Sequence, residues 1–262
     1  MKSVPNQLYR QIFVGQQWTR SVKMNGQEKK WFEELQRDRE VIRKTLQKPS
    51  MSGVQRSVVE KYSDEAHFIY ELLQNADDAR ATWVKFILET DKLIFIHNGT
   101  RHFNISDPQK EEIDKANKSL GDINAITSVG NSSKESEATI GKFGVGFKAV
   151  FQYTSTPRIY DDRFRFEIKD LIVPTLIKSD HPNRNNGETL FEFPFNHELI
   201  PEDEAYNEIK DKLNNLNHPT LFLDNLKSIT FVLNREHLNA IIMMLRLNTK
   251  KVLLRIENFA LL

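Results

Sequence analysis

Six of the ten glycines in this 262-residue chain lie between Gly99 and Gly146. Glycine is needed where φ turns positive or where a ligand or neighbouring backbone approaches closely. A chain so sparing with glycine has put its conformational freedom in one stretch. That stretch ends in GKFGVGFKA, Gly141 to Ala149, a glycine-rich turn entering a predicted helix over 146–153. The P-loop spacing is met by Gly141 and Gly146, but Phe147 stands where the lysine must be. The dinucleotide fingerprint GxGxxA fits Gly144, Gly146 and Ala149, yet polar residues 131–139 precede it where a buried strand is required. The kinase loop fails at its third glycine. What remains is a turn whose amides and helix N-terminus converge on one spot, flanked by Lys142 and Lys148. Such a turn is either an anion site or a packing turn.

A second feature is ELLQNADDA within the helix predicted over 64–80, capped by Ser63 or Asp64. Glu71, Asn75 and Asp78 fall at i, i+4 and i+7 and share one face. Ala66, Ile69, Leu72, Leu73 and Ala76 form the apolar stripe opposite. Two carboxylates and an amide in a row suit an oxygen-ligated cation with a general base, or a solvated polar face.

Around these features, residues 31–47 read as a helix ended by Pro49. WVKFIL (83–88) and KLIFIH (92–97) read as a hairpin. Residues 100–140 are polar and irregular, with short helices near 109–117 and 120–127; a connection that long is either a functional lid or disordered. A second hairpin spans 157–168 and turns at Asp161-Asp162. Strands follow at 189–193, 228–233 and 251–256, with a helix at 203–216. Hairpins and helices interleave without a βαβ rhythm. This predicts an α+β fold, a two-layer sandwich of a mixed, mostly antiparallel sheet with helices on one face. Three regions are expected: a basic helical segment at 1–54, the main domain at 55–235 with its lid at 100–140, and the start of a following, truncated segment at 236–262.

Composition excludes other classes. The longest apolar run is Ala240 to Leu245, against roughly 20 residues for a membrane span. Residues 1–20 lack a signal-peptide core. There is no cysteine, hence no disulfide frame or zinc ribbon, and the histidines lack metal-binding spacing. A cytoplasmic protein is expected. Residues 1–60 carry 12 Lys/Arg against 6 Asp/Glu, a net of +6 that can meet nucleic acid, an acidic partner or only solvent.

The order HFIYELLQNADDA, IFIHNG, polar lid, TIGKFGVGFKAVF and GETLFEF resembles the Bergerat-fold (GHKL) ATPases, most closely the sacsin-type, heat-shock-chaperone-like branch. The likeness covers roughly residues 55–195. It implies that Glu71 is the general base and Asn75 the Mg²⁺ ligand. Asp78, Ala79 and the turn glycine Gly99 would line an ATP pocket, and Thr189 would bind near adenine. Gly141, Phe143, Gly144, Val145, Gly146 and Phe147 would wrap the phosphates, with Lys148 following. Ser132, Ser133 and Lys134 would touch phosphate from a lid over 121–140. One departure stands out: His97, followed by Asn98, occupies the place where the family has an adenine-reading Asp. A neutral His97 or the Asn98 carbonyl could accept the same hydrogen bond. The resemblance therefore implies slow, Mg²⁺-dependent, lid-gated ATP hydrolysis within a larger chaperone-like or defence-type assembly. The alternatives are a non-catalytic nucleotide-sensing module and a DNA-acting repair or defence ATPase using residues 1–60. A histidine kinase lacks a phosphoacceptor histidine ahead of the site.

Overall fold

The computed structural model describes residues 23–51, 68–128, 145–216, 223–235, 238–247 and 250–257. Helix α1 (Gly26–Leu46) starts earlier than the apolar periodicity suggests, because Asn25 and Glu28 form a reciprocal capping box. The Asn25 side chain accepts from the Gln27 and Glu28 amides, and Glu28 accepts from the Asn25 amide. Two first-turn donors are thereby satisfied. Helix α2 (Phe68–Asp78) carries the ELLQNADD face; the caps expected at Ser63 or Asp64 lie outside the described residues. Short helices α3 (Glu111–Ala116) and α4 (Asp122–Ile126) follow, and α5 (Glu202–Asn214) comes late in the chain. The segment after the glycine turn is a 3-10 helix, Val145–Gln152, rather than an α-helix. Three residues per turn stack Phe147, Val150 and Tyr153, all buried.

The strands are β1 (Trp83–Leu88), β2 (Lys92–His97), β3 (Arg158–Tyr160), β4 (Arg165–Lys169), β5 (Val173–Leu176), β6 (Thr189–Pro194), β7 (Ser228–Arg235), β8 (Leu238–Leu247) and β9 (Lys250–Glu257). They form one sheet in the order β5-β4-β3-β6-β2-β1-β7-β8-β9. Neighbours pair antiparallel except β1 and β7, which run parallel. The sheet is mixed and mostly antiparallel, as expected. Alternation along the strands turns Phe86, Phe95, Phe166, Phe191 and Phe231 to one face, where α1, α2, the 3-10 helix and α5 cover them. The other face carries a smaller cluster, Ile87, Ile94, Ile96, Tyr160 and Leu190, to which no described helix contributes. Among the described residues no helix is long and apolar enough to cross a membrane.

Three boundaries expected from the sequence move. Phe32 and Leu35 of α1 are completely buried in the main core, and α1 packs against β5. The described part of the 1–54 segment is thus a layer of the same domain, because its amphipathic face needs the sheet's apolar surface. Strands β8 and β9 extend that sheet from β7, so 236–262 does not open a separate unit there. Phe103, Ile105, Ile123 and Ile126 are buried in the core. These apolar anchors tie residues 103–126 to the core; residues 129–144 lie outside the described residues.

Truncating a fully buried phenylalanine costs about 3–5 kcal/mol. Phe32→Ala is expected to lower urea-unfolding stability by about that amount while unfolding remains a single transition. A loss below about 1 kcal/mol would separate α1 from this core.

Candidate functional site

Helix α2 ends at a sharp turn. Arg80 takes a left-handed conformation, φ 63°, and the Ala81 amide returns to the Ala76 carbonyl at 2.9 Å. This is a helix-closing bond of the kind usually built on glycine. The Ala79 carbonyl, left without a helical donor, accepts from Thr100 N at 2.8 Å and Arg101 N at 3.3 Å. The exit of β2 is thereby laid on the end of α2. A Cβ on Gly99 would come within 2.6 Å of Ala79 Cβ and 2.9 Å of Ala79 O, so only glycine permits this approach.

The polar face of α2 stands beside that junction, and α2 also packs against the 3-10 helix that continues the glycine turn. Burial raises the Glu71 carboxyl above its ordinary range; the Asn75 amide partly offsets the rise and Asp78 adds to it. Burial likewise raises Asp78, with Asp77 adding and Arg101 opposing. Asn75 is 4% exposed. Although its amide leans on Glu71, Asn75 Nδ2 completes no hydrogen bond among the described residues, and neither does the buried Asp78 Oδ2. Leaving such an atom unpaired costs about 1–3 kcal/mol. Both lie on the face where the sequence places ligand-binding groups.

At the end of β2, His97 is 3% exposed and sits against Phe95 and Phe191. Its Nδ1 accepts from Gly99 N at 3.0 Å. Burial pushes the ring down to about 4, with the Asp161 charge opposing. His97 is therefore neutral near pH 7, with its proton on Nε2. Thr189 lies directly across the β2–β6 ladder from His97 and donates from Oγ1 to Asp161 Oδ2 at 3.3 Å.

Two expected roles do not fit. Asn98 Oδ1 accepts from Thr82 N and Trp83 N at 2.9 and 3.1 Å, and Nδ2 donates to Thr82 Oγ1. Its carbonyl pins the start of β1 to the end of β2 and is not offered to a base. Lys148 is buried, and its ammonium donates to the Ile126 and Leu171 carbonyls, each at 2.6 Å. Burial, with Arg39 adding, pushes it down to about 7. It braces the loops around the 3-10 helix rather than facing a phosphate. Phe147 is packed on Phe191 and Phe193, so only its backbone could serve a ligand. Val145 and Gly146 open the 3-10 helix. Ser132, Ser133, Lys134, Gly141, Phe143 and Gly144 lie outside the described residues.

Sequence reasoning missed Asp161, reading it only as a turn residue. Its carboxylate is completely buried. It accepts from Arg163 N, His102 Nδ1, Phe103 N and Thr189 Oγ1, tying the β3–β4 turn to the residues after β2 and the start of β6. Only the tertiary fold joins these, so no local signal marked it. Arg101 was missed too; it influences Asp78 and pairs with Asp122 at 3.2 Å.

The buried neutral ring makes a direct prediction. An unfolded histidine protonates near 6.5, whereas the folded ring resists until about 4. The His97 contribution is complete above 6.5 and lost as pH falls through this window. The His97 ring signals in an NMR titration are expected to shift with a midpoint near 4; a midpoint near 6.5 would contradict the buried, Nδ1-accepting geometry.

The Sacsin domain profile matches residues 48–222. The protein NO VEIN of Arabidopsis thaliana is 32% identical over 130 residues, 45% of this chain and 4% of that protein. Sacsin of Homo sapiens is 31% identical over 118 residues, 42% of this chain and 2% of that protein. The chain thus corresponds to a small part of either relative. A solved N-terminal domain of a DNA repair protein superposes with a TM-score of 0.44 and 14% identity, covering 68% of this chain and 53% of that one. On a family match that spans most of its length, this chain belongs to the sacsin domain family.

Proposed function

We propose that this domain binds ATP between the polar face of α2 and the Gly99 end of β2, and hydrolyses it slowly with Mg²⁺. The observation that carries the reading is that two buried atoms, Asn75 Nδ2 and Asp78 Oδ2, complete no hydrogen bond among the described residues, on the helical face that also holds Glu71. A fold keeps such unpaired groups where a ligand completes them. The donor set fits magnesium, which takes one or two protein oxygens and completes its shell from phosphates and water. The Asn75 carbonyl oxygen would be its protein ligand, and the ion would supply charge neutralisation at the triphosphate.

Glu71 orients water toward the γ-phosphorus and accepts its proton as the bond to ADP breaks. Its raised carboxyl is a stronger base than a solvated one. Arg101 pairs with Asp122 at 3.2 Å, and with that guanidinium engaged there slow turnover is expected. The lid contacts expected from sequence fall on residues outside those described and form no part of this reading. We place the cycle in a larger chaperone-like or defence-type protein, since the relatives are far longer than this chain.

Glu71→Gln is expected to reduce steady-state phosphate release by about 100-fold or more while ATP affinity, read by calorimetry, changes by less than about threefold. Undiminished turnover would remove Glu71 from the chemistry. In the wild-type chain the acid limb of kcat should lie above the 4.5 of an ordinary glutamate, because protonating a raised base stops the reaction at a higher pH. Asn75→Ala should abolish the gain in ATP affinity that Mg²⁺ confers; an unchanged gain would contradict its role as ligand.

A further inference from the structure

The family resemblance expects a hydrogen-bond acceptor at the position of His97. The geometry offers the reverse. The Gly99 amide occupies the lone pair of His97 Nδ1, so the neutral ring carries its proton on Nε2, which has no partner among the described residues. The Thr189 hydroxyl gives its proton to the Asp161 carboxylate, which only accepts. Oγ1 therefore has only lone pairs left to offer. The two residues are directly opposed on adjacent strands, with side chains about 4.5–5.5 Å apart at Cβ. Both point to the face that carries α2, as the burial of Phe95, Phe191 and Phe193 in the helix-covered core shows. The end of the β2–β6 ladder thus presents one donor beside one acceptor.

We infer that His97 and Thr189 read the base with inverted polarity: Nε2–H of His97 donates to N1 of a 6-aminopurine, and Thr189 Oγ1 accepts from its amine. This rests on the ATP reading above and specifies how that site selects its base. The pair completes the adenine edge, one ring acceptor and one exocyclic donor. Guanine places an acceptor at position 6, a donor at N1 and a further amine, so in the same orientation each group of the pair meets its like. Asp161 cannot serve that amine, because its oxygens already accept from four groups.

The test is calorimetric titration of the unmodified chain, with Mg²⁺, against ATP, 1-deaza-ATP, 7-deaza-ATP, purine riboside triphosphate and GTP. Removing N1 or the amine should each weaken binding by roughly tenfold or more, the loss of one hydrogen bond with its protein partner left buried. Removing N7, which this pair does not read, should change affinity by less than about twofold, and GTP should bind roughly 100-fold more weakly than ATP. If ATP binds and 1-deaza-ATP binds equally well, His97 is not the donor and the inference falls while the ATP site stands. GTP binding as tight as ATP would likewise overturn the inference alone. If no triphosphate binds, the site reading and the inference fall together.

Discussion

The seat of Gly99 on Ala79 is the contact on which the site depends. One helix end and one strand end meet with no side chain between them, and a single carbonyl accepts two amides from the incoming strand. The approach fixes where the Glu71, Asn75 and Asp78 face stands relative to the His97 end of the sheet. It also sets the tautomer of His97, since the same glycine whose missing Cβ allows the contact donates its amide to Nδ1. Arg80, held in the left-handed region, carries a cost of about 1–2 kcal/mol, and the return bond from Ala81 to Ala76 helps to offset it.

Two buried carboxylates extend this order. Asp77, on the same helix end, accepts from Asp224 N, Asn225 N and Leu226 N. It draws in the loop that leads to β7, the strand that pairs parallel to β1. Asp161 does the same on the other side, joining the β3–β4 turn to the residues after β2 and to Thr189. Each carboxylate is satisfied by donors from distant parts of the chain. Removing one would leave several buried N–H groups unpaired, so these residues specify the arrangement of strand ends more than they add to its stability. By contrast, Asn75 Nδ2 and Asp78 Oδ2 complete no hydrogen bond among the described residues.

Much of this was legible in the sequence where the signal was local. The β1–β2 hairpin followed from two apolar runs around Glu89-Thr90-Asp91, and the shared face of Glu71, Asn75 and Asp78 from helical spacing alone. The alternation of Thr189 to Phe193 gave β6. Signals that depend on tertiary partners were not legible. The helix over 31–47 was legible, but not the surface that buries its Phe32, which packs on Phe164 and Phe166. Strand β5, with a proline in a run of four residues, carries no alternation worth reading. Lys148 looked like a phosphate ligand because it follows a glycine turn, yet two backbone carbonyls take its ammonium. Asn98 looked like a base reader, yet it pins the start of β1. For both, the sequence showed a polar group at the right address, and only the fold revealed that its hydrogen-bonding capacity was already used.

We propose that the Asn75 amide of α2 and Gly99 at the end of β2 line a single nucleotide site. The most direct measurement is a ¹H–¹⁵N correlation spectrum recorded while a non-hydrolysable ATP analogue is added with Mg²⁺. The account predicts that the Asn75 side-chain amide and the Gly99 backbone amide shift together and saturate at the same analogue concentration. Both signals remaining unmoved at saturating analogue, or the two saturating at different concentrations, would contradict it.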